Sequence, residues 1–146
     1  MNWYMEVLRK YADFNGRARR SEYWMYHLFS TLIVMALVLL AGAAIALMGR
    51  TYGNGGAVLL IVAPIWLYFM AMIIPNLAVA VRRLHDTGRS GWFILISFIP
   101  IVGGIILLVF LCSDSQPGPN LYGQNPKGVQ AYPSMMPPYP GAYPRA

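Results

Sequence analysis

The chain has 146 residues, of which 58% are hydrophobic and 11% charged. A soluble domain of this length carries about 45–50% apolar and about 25% charged residues, so the composition excludes an ordinary soluble domain. The net charge of +6 does not indicate nucleic acid, because the basic residues flank apolar runs, which is how a membrane protein is oriented.

No Asp, Glu, Lys or Arg occurs between Tyr23 and Gly49, between Thr51 and Val81, or between Gly91 and Ser113. Each stretch passes the ~18 apolar residues that mark a spanning candidate, since ~20 residues at ~1.5 Å rise cover a hydrocarbon core of about 30 Å. The expected fold is therefore an all-α integral membrane protein with three transmembrane helices, preceded by an amphipathic interfacial helix and followed by a disordered Pro/Tyr-rich tail. The membrane domain is expected over 1–112 and the tail over 113–146.

In chain order, the first element is an amphipathic helix over 2–14. Tyr4, Val7, Leu8 and Tyr11 share one face, while Asn2, Glu6, Arg9, Lys10 and Asp13 share the other. Its apolar face suits either the membrane interface or packing on the protein's own spans. Asn15 and Gly16 suit the helix end. Arg17, Arg19 and Arg20 then precede a girdle of Tyr23, Trp24 and Tyr26. The first span is expected over 27–48, and its length and its distance from the start argue against a cleaved signal. Gly42 and Ala46 in it form a small-residue pair that would allow close helix contact.

Gly49 to Gly56 reads as a Gly-rich turn, not as a phosphate-binding loop. The second span is expected over 57–81, with kinks at Pro64 and Pro75. The third is expected over 92–112, with a bend at Pro100 and Gly103-Gly104. Beyond Ser113, prolines interleave with tyrosines and few aliphatics remain, so the tail is expected to be disordered with some polyproline character.

With three spans, Arg9, Lys10, Arg17, Arg19, Arg20, Arg82, Arg83 and Arg89 share one side, against Arg50, Lys127 and Arg145 on the other. The positive-inside bias then places the N-terminus in the cytoplasm and the tail outside; a re-entrant second segment around Pro64 and Pro75 would instead put the tail back inside.

The segment Arg82-Arg83-Leu84-His85-Asp86-Thr87-Gly88-Arg89 concentrates the charge. Arg82 and Asp86 are four residues apart if the second helix continues, and Glu22 could meet Arg82 or Arg83. Arg17, Arg20, Glu22, Arg82, Arg83, His85, Asp86 and Arg89 form the candidate cluster, read either as ion pairs fixing helix register or as a site for anionic lipid headgroups. Adjacent residues on a helix diverge by about 100°, so His85 and Asp86 do not form a catalytic pair, and no catalytic residue or cofactor is assigned. Metal binding is not expected, because His27 and His85 are the only histidines and Cys112 is the lone cysteine.

Two segments resemble the bacterial family called domain of unknown function 805, the YhaH-like inner-membrane proteins. The first carries Phe14, Gly16, Arg17, Arg20, Glu22, Tyr23 and Trp24; the second carries Arg82, Arg83, Leu84, His85, Asp86, Ser90, Gly91 and Trp92. A third stretch with Gly118, Asn120, Tyr122, Gly123 and Pro126 also resembles the family. The resemblance implies a multi-pass protein of the bacterial inner membrane and brings no reaction, ligand or catalytic residue. The expected role is non-catalytic, through self-association, a membrane protein partner or anionic lipid. The alternatives are a small oligomeric transporter or channel, for which Asn76 and Ser97 are polar candidates at depth, and a headgroup-acting enzyme.

Overall fold

The computed structural model describes residues 3–52 and 55–128. These residues form helices and turns, with one isolated bridge pairing Asn120 and Gly123 among them. The helices are α1 (Trp3–Arg9), α2 (Arg20–Tyr52), α3 (Gly55–Asp86) and α4 (Val102–Cys112), with a 3-10 segment, Gly91–Phe98, between α3 and α4. The chain divides into two compact units, Met1–Asp13 with Ser21–Ala78 and Phe14–Arg20 with Val79–Ala146.

The first unit is built on α2 and α3. Their charge-free stretches carry many long or branched apolar side chains, and a number of these remain on the surface: Leu32, Leu39, Leu40, Trp66 and Leu67 are all exposed. A water-soluble fold would cover such side chains. Among the described residues, two helices are long and apolar enough to cross a membrane, over Arg20–Leu47 and Val62–Asp86. Helices α2 and α3 run past the expected spans, so 49–52 and 55–56, expected as part of a Gly-rich turn, are helical. α3 stays helical through Pro64 and Pro75.

Helix α1 is shorter than the expected 2–14 and ends in turns at Lys10 and Asp13. Its apolar face packs within the unit: Val7 is fully buried, Tyr4 stacks on Tyr26 with ring centroids 5.6 Å apart, and the Tyr11 hydroxyl donates to the carbonyl of Ala71. Of the two partners expected for this face, the protein's own helices hold Tyr4, Val7 and Tyr11.

In the second unit, α3 ends with a Schellman motif. Arg89 N–H donates to Leu84 O and Gly88 N–H to His85 O, both at 3.0 Å. The motif needs a left-handed residue, and Gly88 supplies it at φ 75°.

The expected third span is not a continuous helix. The 3-10 arm Gly91–Phe98 and α4 lie against each other, with Phe93 edge-on to Phe110 at 5.9 Å. Pro100 drives the reversal: it lacks an N–H and holds the preceding Ile99 extended, at φ −77° and ψ 115°. Ile101 then takes φ 66° in a γ-turn closed by Val102 N–H to Pro100 O, 2.7 Å. The backbone carbonyl of Ile96 occupies the space where a Cβ of residue 103 would stand, so only glycine fits there. The bend expected at these residues is a full turn back.

The tail also differs from expectation. Ser113 to Gly128 folds into successive turns, held in part by Gln116 N–H on Asp86 O at 2.9 Å and by the two-way pairing of Asn120 with Gly123. The rest of the proline- and tyrosine-rich tail, 129–146, lies outside the described residues.

Candidate functional site

The C-terminal turn of α3 presents Arg82, Arg83 and Asp86 inward, and all three are buried. Asp86 is the centre. One carboxylate oxygen accepts from Arg17 Nε at 3.0 Å, the other from Arg83 Nη1 and from the Ser115 hydroxyl, each at 2.5 Å. The side chains of Arg17, Arg83 and Asp86 are at most 1% exposed.

Two guanidinium groups around one carboxylate leave a buried excess of positive charge, which is costly unless other acceptors share it. Backbone carbonyls do so. Arg17 donates to Gly118 O at 2.7 Å, Gln116 O at 2.6 Å, Asp86 O at 3.3 Å and Gly123 O at 3.4 Å. Arg83 donates to Leu111 O at 3.0 Å, Ala18 O at 3.4 Å and Ser113 O. Leu111 and Ser113 close the C-terminal end of α4, where helical carbonyls lack partners and the helix dipole is negative. Arg83 therefore caps α4 while it neutralises Asp86.

The segment before α2 is drawn in by the same groups. Ala18 N–H donates to Arg82 O at 3.0 Å. His85 lies beside it, with Nδ1 3.3 Å from Gly16 O, its ring stacked on Tyr122 at 3.7 Å and its carbonyl accepting from Asn120 Nδ2 at 2.9 Å. Arg89 sits over the Phe110 ring, 3.9 Å from its centroid. Arg20 is exposed and pairs with Asp114 at 3.2 Å. Lys127 also binds Asp114, and that bond, followed by the Ser115 N–H, holds the Asp114 carboxyl below the usual carboxylate range. Glu22 is buried in the first turn of α2, in the other unit.

The predicted residues Arg17, Arg83, His85 and Asp86 thus meet in one place, with Arg89 and Arg20 around it. Sequence reasoning missed Ser113, Ser115, Gln116, Asn120 and Tyr122. For Asn120 and Tyr122 a signal exists in the Gly118–Gly123 stretch, which resembles the family's third motif, but its proline- and glycine-rich setting reads as loose tail; Ser113, Ser115 and Gln116 carry none. The three-span reading had also placed 82–91 and the tail on opposite sides of a bilayer; Arg17, His85 and Asp86 instead bond the tail directly.

Asp86 and His85 each have separate partners, and the hydroxyl that reaches Asp86, that of Ser115, donates to a carboxylate already held by two guanidinium groups. Among the described residues, no group of three His, Cys, Asp or Glu could hold a metal ion. The arrangement is chemically a clamp: it fastens the segment before α2, the end of α3, the end of α4 and the following loop through charge-assisted hydrogen bonds.

Comparison with known proteins gives the same three segments a family. The model described as "Protein of unknown function (DUF805)" matches residues 11–124. The chain is 39% identical over 130 residues to the inner membrane protein YhaI of Escherichia coli (strain K12), covering 87% of this chain and 97% of that one. It is 39% identical over 127 residues to the inner membrane protein YhaH of the same strain, covering 87% and 98%. No solved structure matches. From the clamp residues outward, the likeness covers nearly all of the described chain, which belongs to the DUF805 family.

Proposed function

We propose that this chain is a non-catalytic, multi-pass protein of the bacterial inner membrane, with its N-terminus in the cytoplasm and an arginine-rich face that holds anionic lipid headgroups. The observation that carries this reading is the division of labour among the arginines. Arg17 and Arg83 are buried and fully engaged with Asp86 and backbone carbonyls, whereas Arg20 stays exposed and Arg19 half-buried beside them. A clamp uses the first pair; in the second, Arg20 reaches only exposed partners among the described residues, Asp114 at 3.2 Å and Cys112 O at 3.4 Å, so its guanidinium stays open to a phosphate group.

Location and orientation have separate support. The similar proteins are named as inner membrane proteins, and α2 and α3 expose long apolar side chains. Arg9, Lys10, Arg17, Arg19 and Arg20 precede the apolar part of α2, and Arg82, Arg83 and Arg89 follow the apolar part of α3, while Arg50 alone lies near the connection between the helices. That bias favours a cytoplasmic N-terminus.

The test is purification from bacterial membranes in mild detergent, followed by analysis of the retained lipid. Anionic phospholipid should be enriched over its proportion in the membrane, and the Arg19→Gln, Arg20→Gln double variant should lose that enrichment while remaining folded. Retained lipid in membrane proportion would overturn headgroup binding. Separately, His85→Ala and Asp86→Ala should lower the yield of folded protein; a normally folded variant lacking an in vivo phenotype of the parent would favour an enzyme.

A further inference from the structure

The third apolar segment has the hydropathy of a span and the geometry of something else. Its entry and exit lie together. At the entry, a Cβ on Gly91 would touch the Val81 side chain and stand 3.5 Å from His85 Nε2. At the exit, Arg83 binds Leu111 O at 3.0 Å and Ser113 O. Both are therefore fastened to the last turns of α3, and Phe93 meets Phe110 between them.

We propose that residues 91–112 form a re-entrant hairpin seated in the hydrocarbon of one leaflet, entering and leaving at the arginine face. Residues from Ser113 onward then lie on the same side of the membrane as the segment before α2. The inference rests on the membrane reading above, and refines it by removing one crossing.

The dimensions agree. The 3-10 arm has 8 residues, about 16 Å at ~2.0 Å per residue. α4 has 11 residues, again about 16 Å at ~1.5 Å per residue. The arms match each other and reach about half of a ~30 Å hydrocarbon core. The tip is apolar and uncovered, with Phe98 81% and Ile101 85% exposed, and no charged residue lies between Gly91 and Ser113. Water would not leave such a tip standing free, whereas lipid chains suit it.

Irregular backbone within lipid is tolerated only if its polar groups are satisfied. The turn meets much of that demand itself. Ile99 N–H donates to Ile96 O, Val102 N–H to Pro100 O and Gly103 N–H to Ile99 O, at 2.9, 2.7 and 3.0 Å, and Pro100 has no donor to satisfy. The Ser97 hydroxyl is likewise turned onto Ile94 O at 2.7 Å.

Cysteine accessibility in sealed membranes tests the proposal, in a Cys112→Ser background that removes the native thiol. Asn15→Cys, Gln124→Cys, Phe98→Cys and Ile101→Cys are treated with a membrane-impermeant maleimide in spheroplasts and in inverted vesicles, with Leu39→Cys as the α2 control. Asn15→Cys and Gln124→Cys should react from one and the same side, and the two tip positions from neither side until detergent is added. Reaction of Gln124→Cys from the side opposite Asn15→Cys would overturn the hairpin, as would reaction of a tip position from either side. Reaction of Leu39→Cys as well would instead sink the membrane reading. Should a cysteine variant fail to accumulate, topology reporters fused to each end of the wild-type chain decide the same point: agreement supports the hairpin and disagreement overturns it.

Discussion

Gly103 and Gly104 are neighbours in sequence and opposites in the structure. A Cβ at 103 runs into the Ile96 carbonyl, whereas one at 104 meets nothing within 4 Å. Gly103→Ala should therefore cost about 1–3 kcal/mol through overpacking against backbone that cannot yield. Gly104→Ala should stabilise α4 by about 0.5–1 kcal/mol, because helical alanine loses less chain entropy than glycine. Thermal unfolding of the two variants in lipid nanodiscs should move in opposite directions. At the clamp, Asp86→Asn keeps the shape but removes the carboxylate that binds both Arg17 and Arg83. Breaking a buried pair in this way costs about 3–5 kcal/mol, so little folded protein should be recovered. Arg17→Lys should also fail, since a single ammonium cannot reach Asp86, Gln116 O and Gly118 O together; rescue by lysine would show that charge alone suffices.

The elements differ in how far composition could reveal them. α2 and α3 were legible because the absence of charge over two dozen residues has few explanations. The hairpin has the same hydropathy, and hydropathy does not register a reversal. Pro100 and Gly103 announced a bend, but the closing contact comes from Arg83, which binds Leu111 and Ser113 from 28 and 30 residues away. The tail failed for a related reason. Pro117, Pro119 and Gly118 read as loose chain, yet Arg17 orders that stretch from about 100 residues earlier. In each case the positive charge was visible and its carbonyl partners were not. The outer fastening of this loop is weaker, because Asp114 is exposed and binds Lys127 and Arg20 at the surface. Lys127→Ala should increase protease cleavage near Gln124, and added salt should do the same in the parent. Asp114 has a lowered folded pKa, so its contribution is present at neutral pH and is lost as the pH falls through that value. Cleavage that ignores both salt and acid would show that the buried clamp alone holds the loop.

For the molecule as a whole, the hairpin sharpens the charge asymmetry. Of the 11 basic residues, three crossings would divide them eight to three. Two crossings and a re-entrant segment leave ten on one face and Arg50 alone on the other, a much stronger positive-inside bias. Orientation should therefore resist modest changes and give way to large ones. Replacing Arg9, Lys10 and Arg19 by Gln while inserting three lysines after Asn54 makes the division seven to four, and a mixture of orientations should result. The informative reading is the correlation between termini. With an even number of crossings, reporters at the N- and C-termini must report the same side in every molecule, so both should become mixed in equal proportion. With three crossings the two must oppose each other in the parent as well as in the variant. A variant that shifts the N-terminal reporter while the C-terminal reporter moves the other way would restore the third span, and with it a tail separated by the bilayer from the arginines that bind it here.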